Sequence, residues 1–304
     1  MKRLLTVFTF MACLSSFGQD STAFLTDTLK VEDSWAKGAT FGLQFTQSSF
    51  HQWVAGGENS YTVAGLAKMF LTYSKNKVKW ENTLDMNYGF IQQGNQEVFK
   101  SDDRFELNSA IGKQAKKKWY YTGQLNFRTQ FSPGYQIDAL SKSKISNLLA
   151  PAYLTLSMGM EYKPKDGFSW LVSPITGKTT FVMDDGLAAL GLFGVDPGKN
   201  VRHEFGGLTR VSWKQSLGKN IGFNTNLTLF SNYLNNPQNI DVNWDLLVTF
   251  KVNEWLNFNV TAIMIYDDDI AVPKDRNDDG IFDGSGKGIQ LKEVFALGLS
   301  YSFE

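Results

Sequence analysis

Along most of this chain hydrophobic and polar residues take turns one by one, the period of an extended strand whose two faces meet different surroundings. The clearest run sets Val78, Trp80, Leu84, Met86, Tyr88 and Phe90 on one face against Lys79, Glu81, Thr83, Asp85 and Asn87 on the other. Similar alternation marks residues 39–45, 61–73, 105–111, 119–131, 152–162, 205–213, 221–229, 240–252, 256–266 and 291–303, with a shorter stretch near Phe168, Trp170 and Val172. Together these runs predict about twelve strands and no second folded domain.

Alternation alone does not separate a membrane barrel from a soluble β-sandwich, whose strands also have one apolar face. Three features favour the barrel. Several strands run beyond ten residues, where soluble strands average about five or six and a tilted membrane strand needs about nine to eleven. Connections alternate between short turns, at Lys75–Lys77, Ala115–Lys118, Pro164–Gly167, Gly218–Asn220 and Asn253–Glu254, and mostly long loops. Trp80, Trp119, Trp170, Trp213 and Trp255 sit within a few residues of the short turns, where an interfacial aromatic girdle belongs. The expected fold is all-β: a transmembrane antiparallel barrel of about twelve strands with short periplasmic turns and long extracellular loops.

The N-terminus points to export. Lys2 and Arg3, the apolar run Leu4–Leu14 and the small-x-small site Ser16-Phe17-Gly18 read as a removable signal peptide over 1–18. A lipoprotein anchor at Cys13 is the weaker reading, because Phe10 stands where an aliphatic residue is wanted. Cleavage removes the only cysteine, so no disulfide is expected. Residues 19–36 then form a periplasmic lead and 37–304 the barrel. The 30 basic and 30 acidic residues balance, which leaves no overall field for nucleic acid. Past the signal no stretch reaches the ~18 uninterrupted apolar residues of a membrane helix, so a closed barrel is the spanning structure left.

Two resemblances sharpen this. The last strand, with Leu291, Phe295, Leu297, Leu299, Tyr301 and Phe303 on one face, resembles the closing strand of a bacterial outer-membrane barrel, with its aromatic penultimate before Glu304. That resemblance implies outer-membrane lipid and the barrel-assembly machinery as partners. Trp35-Ala36-Lys37-Gly38, residues 47–60 around His51-Gln52-Trp53, Ile145–Leu154, Ser173–Lys178, Phe193–Lys199 and Gly286–Glu293 resemble a domain-of-unknown-function family of Gram-negative outer-membrane barrels. Gln52 stands where that family has Asn. The family implies a fold without supplying an activity.

Candidate chemistry lies on the polar faces and in the loops. Lys79, Glu81, Asp85, Arg104, Glu106, Arg128, Glu161, Arg202, Glu204, Arg210, Asp241, Asp245 and Lys251 are expected to point into the lumen. They make either a polar conduit for a small solute or an interior closed by its own salt bridges, with no single-sign ring for ion selection. Ser173–Asn200 reads as the longest connection, and its apolar content predicts a lid, an inward constriction or a cap on the rim. Ile145, Leu148 and Leu149 are spaced for a short helix within 137–150.

In the loop 267–287, Asp275, Asn277, Asp279 and Gly280 reproduce the start of a calcium loop, with Ile281 and Asp283 at the next ligand positions. Gly286 falls where a bidentate Glu belongs, so a solvated acidic turn competes with a weak Ca²⁺ site. Ca²⁺ is the sole cofactor the sequence suggests. The glycine-rich loop Trp53–Ser60 reads as a tight reversal or a ligand platform at the rim. His51 and His203 are the only histidines, and neither has a Ser and an orienting acid beside it in sequence, so a membrane hydrolase is the weakest reading and no enzyme is expected.

Overall fold

The computed structural model describes residues 34–49, 51, 59–138, 141–270, 272–274 and 284–303. The expected signal peptide and most of the lead lie outside them. In chain order the elements are β1 (Ser34–Ser48), β2 (Ser60–Lys75), β3 (Val78–Gln93), β4 (Phe99–Lys116), β5 (Trp119–Thr129), β6 (Gly134–Asp138), β7 (Ser141–Ser146), β8 (Ala152–Lys165) and β9 (Phe168–Phe181). They continue with the helix α1 (Asp185–Ala189), β10 (Val201–Ser216), β11 (Ile221–Asn232), β12 (Ile240–Lys251), β13 (Leu256–Tyr266), β14 (Val272–Lys274), β15 (Gly284–Gly286) and β16 (Ile289–Phe303).

Twelve of the strands close an antiparallel barrel in the order β1-β16-β13-β12-β11-β10-β9-β8-β5-β4-β3-β2. The seam joins β1 to β16, from Ala39 opposite Phe303 to Phe45 opposite Leu297. Closure satisfies each strand's backbone groups sideways, which is what allows such a sheet to stand in hydrocarbon. Strand β1 begins at Ser34, so the expected boundary between lead and barrel moves ahead of Lys37.

The two faces separate as the alternation predicts. Outward positions such as Leu43, Leu71, Leu156, Met158, Phe295 and Leu297 are exposed apolar side chains. An apolar surface of that extent is the lipid-facing band of a membrane barrel. At the short-turn end Trp35, Trp80, Trp119, Trp170, Trp213 and Trp255 are all exposed. Trp35 meets Tyr73 at 4.7 Å between ring centroids and Trp119 meets Tyr162 at 4.9 Å, so the girdle is built from cross-strand pairs.

Short turns link β2 to β3, β4 to β5, β8 to β9, β10 to β11 and β12 to β13, and the start of β1 and the end of β16 lie at the same end of the barrel. Gly167 shows why one such turn needs glycine. Its φ is +75°, and a Cβ there would stand 2.1 Å from the Lys214 carbonyl oxygen.

Two expectations change at the opposite end. Strand β9 runs on through Phe181, so the connection expected over Ser173–Asn200 shrinks to 182–200. Strand pairing there is interrupted by a bulge between Met158 and Met160, which shifts the phase of the alternation. The helix expected within 137–150 is instead the hairpin β6/β7, because Ser141-Lys142-Ser143-Lys144 continues a period of two.

Residues 182–200 fold as a cap on the rim. Ala150, Val182, Leu187, Ala188 and Val195 form a small buried core, flanked by Leu192 and Phe193. Fully burying a Val or Leu side chain contributes about 1.5–3 kcal/mol, enough to hold a short segment in place. Asp184 caps α1 by accepting from the Leu187 amide at 3.2 Å, and it also accepts from Asn147 at 2.8 Å and from Lys144.

Candidate functional site in the barrel lumen

A twelve-strand barrel with ~4.8 Å between strands and a tilt near 40° has a circumference of about 75 Å and a diameter of about 24 Å if round. The lumen of this barrel is not round. Arg104 on β4 and Asp245 on β12 face each other from strands six places apart on the ring, and Nη1 donates to Oδ1 at 3.2 Å. Extended Arg and Asp side chains joined by such a contact span only about 14 Å between their Cα atoms. The walls therefore close toward each other at this level, and the ion pair divides an oval cross-section into two lobes.

The lobe beneath the cap, walled by β8 to β11, is packed. Leu171, Leu208 and Phe230 form a buried cluster inside it, and Ser173, Thr176 and Thr180 are fully buried around them. Ser173 Oγ lies 2.9 Å from Thr176 Oγ1 and donates to the Met158 carbonyl at 2.8 Å, so these hydroxyls are satisfied without solvent.

Lys178 forms the hub above this cluster. Its ammonium reaches Asp241 at 2.9 Å, Asp267 at 3.3 Å and Glu204 at 3.5 Å and lies over the Phe230 ring. Arg202 donates to the Gly194 carbonyl at 3.0 Å, to Glu204 at 3.2 Å and to Asp269, tying the cap to the segment after β13.

On the other side, walled by β2 to β4, inward side chains keep part of their surface exposed. Lys68 and Asp85 stand 3.7 Å apart near mid-strand, yet their side chains keep 39% and 32% of their surface exposed. Thr83, inward-facing between Glu81 and Asp85, is exposed as well. Nearer the turns Glu81 accepts from Lys79 at 2.8 Å and from Lys163 at 2.7 Å, while Lys163 also meets Glu161 at 3.2 Å. These charges keep both ion-pair partners and part of their exposed surface, which is how ions persist inside a barrel wall.

At the waist Glu106 accepts two N–H bonds from Arg104 and one from Asn126 at 2.8 Å. Arg128 stacks over Tyr153 with its guanidinium carbon 5.4 Å from the ring centroid, and Arg210 donates from Nε to Thr228 Oγ1 at 3.0 Å. All thirteen polar residues expected on the inner face, Lys251 included, lie within barrel strands. Sequence reasoning missed Lys68, Lys163 and Lys178, the partners that join those residues into networks.

The loop candidates fare differently. The proposed calcium ligands Asp275, Asn277, Asp279, Ile281 and Asp283 lie outside the described residues, as do residues 52–58 of the glycine-rich loop. Among the described residues no group of three or more His, Cys, Asp or Glu is placed to hold a metal ion. His203 faces outward with its Nδ1 3.0 Å from Thr179 Oγ1, and His51 is exposed in the loop after β1.

With the barrel in view, comparison with known proteins places part of the chain. Residues 45–135 match the family described as Protein of unknown function (DUF3078). The resemblance to a domain-of-unknown-function family is borne out by this match, which runs from the end of β1 into β6. No curated protein matches the chain.

Among solved structures, the translocator domain of autotransporter NalP from Neisseria meningitidis is 10% identical, with 99% of this chain and 94% of that chain covered and a TM-score of 0.41. An outer-membrane channel from Pseudomonas putida F1 is 10% identical over 94% and 99% of the two chains, with a TM-score of 0.39. The TodX monoaromatic hydrocarbon channel is 8% identical over 88% of each, with a TM-score of 0.34. At such distances the fold assignment rests on the closed strand order of the chain itself.

Proposed function

We propose that this protein is an outer-membrane conduit or binding barrel for a small polar solute, with its passage on the β2 to β4 side of the lumen. The observation that carries this reading is the exposure of Lys68, Thr83 and Asp85 deep inside a barrel whose opposite wall is packed. Side chains within a solid plug would be buried like Thr176; these keep part of their surface exposed. The Arg104–Asp245 bridge limits the width, so the reading is a narrow passage and not a wide pore.

The rest of the assignment follows from that orientation. The Trp-lined short-turn end faces the periplasm with both chain ends, the cap and long loops face outward, and insertion proceeds through the barrel-assembly machinery in outer-membrane lipid. No catalytic role is proposed. Single-channel recording in planar bilayers tests the conduit: discrete small steps are expected from the intact protein and larger ones from Asp245→Ala. Silence from both, with the barrel folded, would leave the alternative of a closed structural barrel whose loops meet partners.

A further inference from the structure

The waist of the lumen holds three guanidinium groups, and two of them have no carboxylate in contact among the described residues. Arg104, Arg128 and Arg210 reach this region, as do Glu106 and Asp245. Glu106 and Asp245 both give their direct ion-pair contacts to Arg104, and with Glu161 they act on Arg128 and Arg210 only at longer range. Among the described residues neither Arg128 nor Arg210 has a carboxylate within 4.0 Å. Arg128 lies over the Tyr153 ring, and Arg210 is anchored through Nε to Thr228. Each is therefore oriented by one contact while the rest of its five-donor fork stays uncommitted.

A guanidinium set in a low-dielectric wall is costly unless it is hydrated or meets an anion, and its planar fork matches a carboxylate or phosphate with two parallel N–H bonds. Like charge in a narrow passage also raises the local concentration of ions of the opposite sign. We propose that Arg128 and Arg210 form an oxyanion station at the waist, so that the solute this barrel admits carries a carboxylate or a phosphate. Tyr153 and Thr228 act as positioning residues for the two forks. The inference deepens the conduit reading and rests on it for transport, whereas the station itself does not depend on an open path.

The test uses the full barrel in two formats. In planar bilayers with a KCl gradient the intact protein is expected to favour chloride over potassium, and Arg128→Met/Arg210→Met to lose that preference while still conducting. In detergent, inorganic phosphate is expected to raise the melting temperature more than chloride at equal ionic strength. That difference should vanish in the double Met variant and be reduced in Arg128→Lys/Arg210→Lys, which keeps the charge and loses the fork. Conducting steps without anion preference, together with a phosphate effect absent from the intact protein or unchanged in the Met variant, would overturn the station and leave the conduit standing. Absence of conductance with the phosphate effect intact would do the reverse.

Discussion

The Arg104–Asp245 bridge makes a quantitative prediction, because it is the contact that sets the shape of the lumen. Its two side chains are 26% and 28% exposed, between the surface pairs that contribute about 0–1 kcal/mol and the buried pairs whose disruption costs about 3–5 kcal/mol. A coupling of about 1–2 kcal/mol follows for a pair in this position. Arg104→Ala alone overstates it, since Glu106 loses its guanidinium partner at the same time. Asp245→Ala alone leaves Arg104 its bond to Glu106 and costs less. The double-mutant cycle of the two, read from reversible urea unfolding in detergent, isolates the pair. Each single variant should also raise single-channel conductance, because nothing then holds β4 and β12 within bridging reach. A coupling no larger than the ~0.3 kcal/mol expected of independent sites, with conductance unchanged, would refute an oval lumen drawn in by this pair.

Two further outcomes follow from the same geometry. Leu156→Arg, on the lipid face of β8, should destabilise the inserted barrel by about 2–4 kcal/mol if it lies at the bilayer midplane, as measured by unfolding from lipid vesicles. Asp184→Ala should cost the cap about 1 kcal/mol through loss of the N-cap, seen as faster hydrogen exchange at the Leu187 and Ala188 amides. The hydrogen bond from Lys144, then that from Asn147, hold the Asp184 carboxyl down at about 2 from its ordinary 3.8. Its contribution is therefore complete above the ordinary value and is lost as pH falls through about 2; an Asp184→Asn cap that shows the same acid-dependent loosening would contradict that cause.

The fold was legible because the two solvents of a membrane barrel impose the simplest possible period, and each of the twelve barrel strands carries it. The second half of β9 was not. Pro174 and the neighbouring bulge break the alternation, so Lys178 reads as a loop residue although it lies inward with Thr176 and Thr180. The hairpin β6/β7 was hidden by Ile145, Leu148 and Leu149, whose helical spacing arises because the chain turns between Asn147 and Ala150. Inward charges could be named from parity, but their pairing could not. Arg104 and Asp245 are 141 residues apart, and only closure of the ring brings them face to face. The loop after β13 carried the sharpest motif in the sequence and contributes Asp267 and Asp269 to the lumen networks.

The most direct test of a barrel with lipid outside and water on one inner side is cysteine accessibility in lipid vesicles, using the chain from Gln19 onward, which contains no cysteine. Thr83→Cys, on the exposed inner wall, should react quickly with a membrane-impermeant, water-soluble thiol reagent. Leu156→Cys should resist it and react with a lipid-soluble one, and Thr176→Cys, fully buried in the packed lobe, should resist both. Equal reaction of Thr83→Cys and Leu156→Cys with the water-soluble reagent, or protection of Thr83→Cys, would contradict the account.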